Sequence, residues 1–93
     1  MGGRLMLLKT YYELKEFDAL ESLLDSYRIY LIRNKLISKK VRQQLMNGIR
    51  FTRKLASLAP YDKAGLQKVK NQIDSCKALA AKKWLLEKVA ELE

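Results

Sequence analysis

Apolar residues recur at three- and four-residue spacings along nearly the whole chain, which is the pattern of amphipathic helices. The first run, residues 4–14, carries two adjoining stripes: Leu5, Leu8 and Tyr12, and beside them Leu7, Tyr11 and Leu14. A helix apolar on two sides is expected to be covered on two sides. The second, residues 18–33, has a broad face of Ala19, Leu20, Leu23, Leu24, Tyr27, Tyr30 and Leu31. Asp18 is its expected N-cap, with Glu21 three residues on completing a capping box. Ser38 opens the third, residues 38–59, with the stripe Val41, Leu45, Gly48, Ile49, Thr52, Leu55 and Ala56. Pro60 stops it by removing a donor and restricting its predecessor. Asp62 caps the fourth, residues 62–75, where Tyr61 and Leu66 stand at hydrophobic-staple spacing. A break over 75–78 is expected before the fifth, residues 79–92, because one uninterrupted helix would far exceed the usual 8–20 residues. No alternating β-branched run appears, and Asn47-Gly48 sits within a helical pattern as a close-packing point. The expected fold is therefore all-α, four to five helices packed as antiparallel hairpins in a single domain. Met1-Gly2-Gly3 reads as a truncation scar and is left outside the helix assignment.

Composition narrows the chemistry. Ninety-three residues bury only about 60% of their unfolded surface, so the core is small. There is one cysteine, Cys76, and no histidine. An intrachain disulfide is impossible, a zinc set is lacking, and the usual neutral-pH acid–base residue is missing. The expectation is a non-enzyme without cofactor, and a lone reduced thiol fits the cytoplasm. No apolar run approaches the ~18–20 residues of a bilayer span, so membrane insertion is not expected. Position 6 is Met, which spoils a myristoylation start.

Net charge is +9, and its placement matters more than its size. Between Ser26 and Tyr61 every charge is positive: Arg28, Arg33, Lys35, Lys39, Lys40, Arg42, Arg50, Arg53 and Lys54. The rest of the chain has ten basic residues (19 − 9) and all ten acids, and is neutral. On a helical wheel Lys39, Arg42, Arg50 and Arg53 share one side of the third helix, opposite its apolar stripe. That row suits an acidic protein surface or a nucleic-acid backbone. It equally suits an ordinary solvated face.

The segment Leu7-x3-Tyr11-Tyr12-x4-Phe17 resembles the inter-helix part of a tetratricopeptide repeat, with its apolar–aromatic first helix, short turn and aromatic opening the second. Lys15 replaces the turn glycine, Leu8 stands where the repeat has a small residue, and Ala19 arrives one position early. The third helix exceeds a 34-residue unit, so the resemblance covers about a third of the chain. The whole chain also looks like the C-terminal portion of larger bacterial helical-repeat proteins. The resemblance implies a right-handed superhelical stack, with Glu87, Glu91 and Glu93 on a polar capping helix. It implies a protein-interaction or scaffold role, with a protein partner or upstream repeats of the same chain. The alternative is a nucleic-acid-binding helical domain using the basic third helix. Leu5 and Leu8 are the expected self-association face, which would make the isolated chain a homodimer.

The remaining candidates read mainly as structure. Tyr11, Tyr12, Phe17, Tyr27 and Tyr30 could stack bases or line a peptide groove, but lie at core spacing. Trp84, a residue type enriched at hot spots, is expected on the Leu66–Ile73 face. Cys76 continues the Val69–Ile73 line without a base beside it. Glu13, Glu16, Asp18 and Glu21 surround a helix start, where carboxylates complement the dipole.

Overall fold

In the computed structural model, which describes residues 2–59 and 62–93, the chain is all-α. Five helices follow in order: α1 (Gly2–Glu13), α2 (Phe17–Arg33), α3 (Lys39–Ser57), α4 (Lys63–Ser75) and α5 (Lys82–Leu92). Pro60 and the Tyr61 side of the expected staple lie outside the described residues. The break before α5 falls where expected but is longer, because Cys76–Ala81 forms a loop of its own.

Local chemistry sets most of these boundaries. Ser38 accepts a hydrogen bond from the Val41 amide at 3.2 Å, and Asp62 accepts one from Gly65 at 2.8 Å. Each satisfies a first-turn amide that the helix leaves unpaired. Asp18 does not cap α2. The helix starts two residues earlier, with Phe17, whose ring meets Tyr12 edge-on at 6.1 Å, as its first residue and Glu16 in the cap position without a side-chain bond. Asp18 is left in the first turn, where its charge still favours the helix dipole. Gly2 and Gly3 are helical, so α1 begins before the expected Arg4.

Two apolar clusters share α3. Leu45 and Ile49 join Leu8 of α1 and Leu20, Leu24, Tyr27 and Leu31 of α2. Phe51 and Leu55 join Leu66, Val69 and Ile73 of α4, and Leu79, Leu85 and Val89. Half-buried Tyr12 and Trp84 touch both clusters and meet edge-on at 5.3 Å. The α4–α5 loop is pinned to α3: the Ala80 amide donates to the Gln44 carbonyl (3.0 Å), and Asn47 Nδ2 donates to the Ala78 carbonyl (2.7 Å). A Cβ on Gly48 would stand 3.2 Å from the Ala80 carbonyl oxygen, so Asn47-Gly48 is a point of close approach. Cys76 caps α4 at the edge of this contact rather than filling the core, and its Sγ lies 3.5 Å from Asn47 Nδ2.

α1 is covered on one side only. Leu8 is 1% exposed within the α1–α2–α3 cluster, and Leu5 is half-buried. Of the expected self-association face, Leu8 is thus taken up by the chain's own core, and only Leu5 keeps part of its surface open. Met6 and Leu7 of α1, and Leu14 just beyond it, are left exposed. The two stripes were equally apolar in sequence, and packing against α2 and α3 chose between them.

Candidate functional site

α3 forms the floor between α2 and α4, because it packs on both while those two make no comparable contact with each other. The resulting groove, about 710 Å³, has an apolar base that includes Met46, Ile49, Leu58 and Val69. Around it stand Arg28 of α2, Arg50, Arg53 and Lys54 of α3, and Lys68 of α4, with no acidic side chain in the lining. Among the described residues no salt bridge engages Arg28, Arg50 or Lys68. Arg50 lies with its guanidinium 4.8 Å from the Phe51 ring, and Lys54 donates to Gln72 Oε1 at 3.1 Å. Such contacts orient the cations while leaving their charge available.

The basic row expected on α3 divides three ways. Arg50 and Arg53 line the groove. Arg42 turns back instead: its Nε donates to the Leu31 carbonyl (2.9 Å), and its Nη2 donates to the carbonyls of Asn34 (3.0 Å) and Ile37 (3.3 Å). It holds the C-terminus of α2, where unpaired carbonyls and the dipole favour a cation, and is not part of an open binding row. Lys39 is exposed, away from the groove lining, at the start of α3. Arg53 is partly neutralised by Asp25 (2.7 Å) and Glu21 (3.6 Å) of α2, and its Nε is buried without a hydrogen-bond partner. On a wheel these residues share a side; α2 lies along one margin of it and takes two of the four. Arg28, Lys54 and Lys68 were not singled out as site residues from sequence. Arg28 and Lys54 belonged to the positive stretch, but no local signal relates Lys68 of α4 to them.

A second hollow, about 440 Å³, lies at the far end, where the α1 C-terminus, the end of α3 and the end of α5 converge. It contains an ion-pair centre. Lys88, 6% exposed, pairs with Glu13 and, at 2.7 Å, with Glu91. Glu13 also accepts from Trp84 Nε1 at 3.2 Å. The Lys88 bond holds the Glu13 carboxyl below its usual range, and the two carboxylates hold the Lys88 ammonium above its usual range. Burial raises the hydroxyls of Tyr12 and Tyr27. One ammonium bridges two carboxylates here, so the centre joins α1 to α5. Glu16 and Asp18 take no part in it. Among the described residues no three His, Cys, Asp or Glu side chains gather as a metal-holding group, and no helix is long and apolar enough to cross a membrane.

Comparison with protein-family models, curated proteins and solved structures returned no match. The functional reading therefore rests on the groove.

Proposed function

We propose that the chain is a protein-interaction module whose α2–α3–α4 groove receives an acidic, apolar-anchored segment of a protein partner. The observation carrying this is the lining: five cations, no acid, and an apolar floor in one concave surface. Carboxylates on the incoming segment meet Arg28, Arg50 and Lys68, while a Leu or Phe between them covers Ile49 and Val69. Charge complementarity of this kind gives specificity and speeds encounter more than it adds affinity. A nucleic-acid backbone would use the cations but leave the apolar floor uncovered. It also loses Arg42 and, in large part, Arg53 from the expected row.

The module reads further as the C-terminal capping part of a tetratricopeptide-like array. Supporting this, Lys15 stands at φ 59°, in the left-handed region, at the position where the repeat has glycine.

The test is fluorescence anisotropy with acidic peptides carrying one Leu or Phe anchor, beside duplex DNA and single-stranded RNA of matched charge. The expected result is salt-sensitive peptide binding that weakens at least tenfold in Arg50→Glu/Lys68→Glu, and at least fivefold when the anchor becomes Ser. Tighter binding of nucleic acid than of every peptide at the same salt would overturn the proposal.

A further inference from the structure

At the opposite end of α3 from the Lys88 centre, the α2–α3 connection forms a basic, apolar tip that the groove does not use. We propose that this tip docks on the surface of an anionic lipid bilayer, with Leu36 entering the headgroup boundary and the surrounding cations holding phosphate-bearing headgroups. This is a peripheral contact, distinct from crossing the membrane.

Leu36 is 97% exposed, the most exposed large apolar side chain among the described residues, and Ile32 on the last turn of α2 is 53% exposed. The leucine is presented by a braced loop. Its amide donates to Asn34 Oδ1 (3.0 Å), Asn34 Nδ2 donates to the Tyr30 hydroxyl (3.0 Å), and Arg42 holds the carbonyls of Leu31, Asn34 and Ile37. A loop whose backbone is already braced loses little freedom when the side chain it presents is inserted.

Arg33, Lys35, Lys39 and Lys40 bracket it within eight residues of sequence, all exposed, and no acid lies between Ser26 and Tyr61. Their aliphatic stems can lie against apolar surface while the charges stay at headgroup level. At the far end of α3 the hollow is lined by Glu13, Asp62, Glu91 and Glu93 with Lys15, Lys63 and Lys88, so it carries a net charge of −1 where the tip carries four cations unpaired among the described residues. The positive charge is thus concentrated at the tip, and an anionic surface favours the tip over the nearly balanced other end.

The combination selects the partner. Nucleic acid would satisfy the four cations but offers no apolar phase to a protruding leucine. A concave protein pocket would suit Leu36 alone, with no need of four cations around it. An anionic bilayer supplies both, at the ~5–10 Å depth that an interfacial apolar side chain reaches.

The experiment is vesicle co-sedimentation of the full chain with phosphatidylglycerol–phosphatidylcholine vesicles, with pure phosphatidylcholine vesicles, and with duplex DNA and RNA in competition. Binding is expected to the anionic vesicles only, and to weaken with salt. Each tip cation is worth about fivefold in partition, so Lys39→Glu/Lys40→Glu is expected to lower it more than about 25-fold. Leu36→Ser is expected to lower it about tenfold. Because Leu36 is almost fully exposed, that variant keeps its helical circular-dichroism signal and thermal midpoint, which separates lost docking from lost folding. Lys15→Glu/Lys63→Glu makes the same charge change at the far end and is expected to have an effect below threefold.

Undiminished binding by Leu36→Ser would overturn insertion. Equal loss in the two charge-reversal pairs would overturn the tip as the site, because adsorption by overall charge does not depend on position. Displacement of the vesicles by nucleic acid, unaffected by Leu36→Ser, would replace the bilayer with a nucleic-acid partner. Peptide binding in the groove is read separately, through Arg50 and Lys68, and stands or falls by itself.

Discussion

Removing the two carboxylates of the Lys88 centre should cost far more stability than removing the lysine they bind. Lys88 is nearly enclosed, with a side chain 7% exposed, whereas the side chains of Glu13 and Glu91 are 47% and 62% exposed. In Glu13→Ala/Glu91→Ala the ammonium stays buried without a counter-charge, a loss of about 3 kcal/mol. For a domain of this size that lowers the thermal midpoint by roughly 12–24 °C. In Lys88→Met a similar volume stays packed against Trp84 and Tyr12, and the freed carboxylates simply hydrate. The expected change is within about 1 kcal/mol of zero, of either sign.

Urea and thermal unfolding followed by circular dichroism at neutral pH measure both variants. Equal destabilisation in the two would refute the reasoning, since it would make the pair's attraction, rather than the stranded ammonium, the dominant quantity.

The pH dependence has a definite sign. The Lys88 bond holds the Glu13 carboxyl below the usual carboxylate range, so its contribution is present above that range and is lost as pH falls through the lower folded value. Lys88 is raised above 10.5, so its contribution is complete below that pH and is lost only as pH rises through the higher folded value. Stability should therefore hold across the neutral range and fall on the acid side, and Lys88→Met should flatten that fall.

Other substitutions probe the remaining elements. Arg42→Met removes three charge-assisted bonds to the α2 terminus and is expected to cost about 2 kcal/mol in urea unfolding. Arg42→Lys should recover only part, since an ammonium cannot reproduce the planar fork. Lys15 and Ala81 hold φ of 59° and 60°, so Lys15→Gly and Ala81→Gly should each stabilise by about 1 kcal/mol. Loss of stability in both would show that their side chains matter more than the backbone strain. The Tyr27 hydroxyl is buried with no partner, and Tyr27→Phe is expected to leave stability unchanged or raise it by up to about 1 kcal/mol. A drop of 2 kcal/mol in the same assay would mean the hydroxyl has a bonding role.

Much of the secondary structure is local in origin, which is why it could be read from the chain. Caps at Ser38 and Asp62 act over three residues, and the three/four periodicity of α2 to α4 belongs to each segment alone. Where a boundary depended on a contact, local reasoning failed. Asp18 was an excellent cap in isolation, but Phe17 meets Tyr12 and the cap falls two residues earlier, at Glu16. Leu8 and Leu7 were equivalent until α2 and α3 covered one of them. Arg42 and Arg53 shared a wheel face with Lys39 and Arg50 until α2 supplied carbonyls to one and carboxylates to the other.

The sequence by itself determined the helical class and the concentration of positive charge between Ser26 and Tyr61. These follow from residue identity and near-neighbour spacing. Only the tertiary structure decided which cations are spent on the fold, which stand around a groove, and which surround an exposed leucine. Those outcomes depend on helices brought together across long stretches of chain, as Lys88 is with Glu13, and no local pattern encodes that pairing.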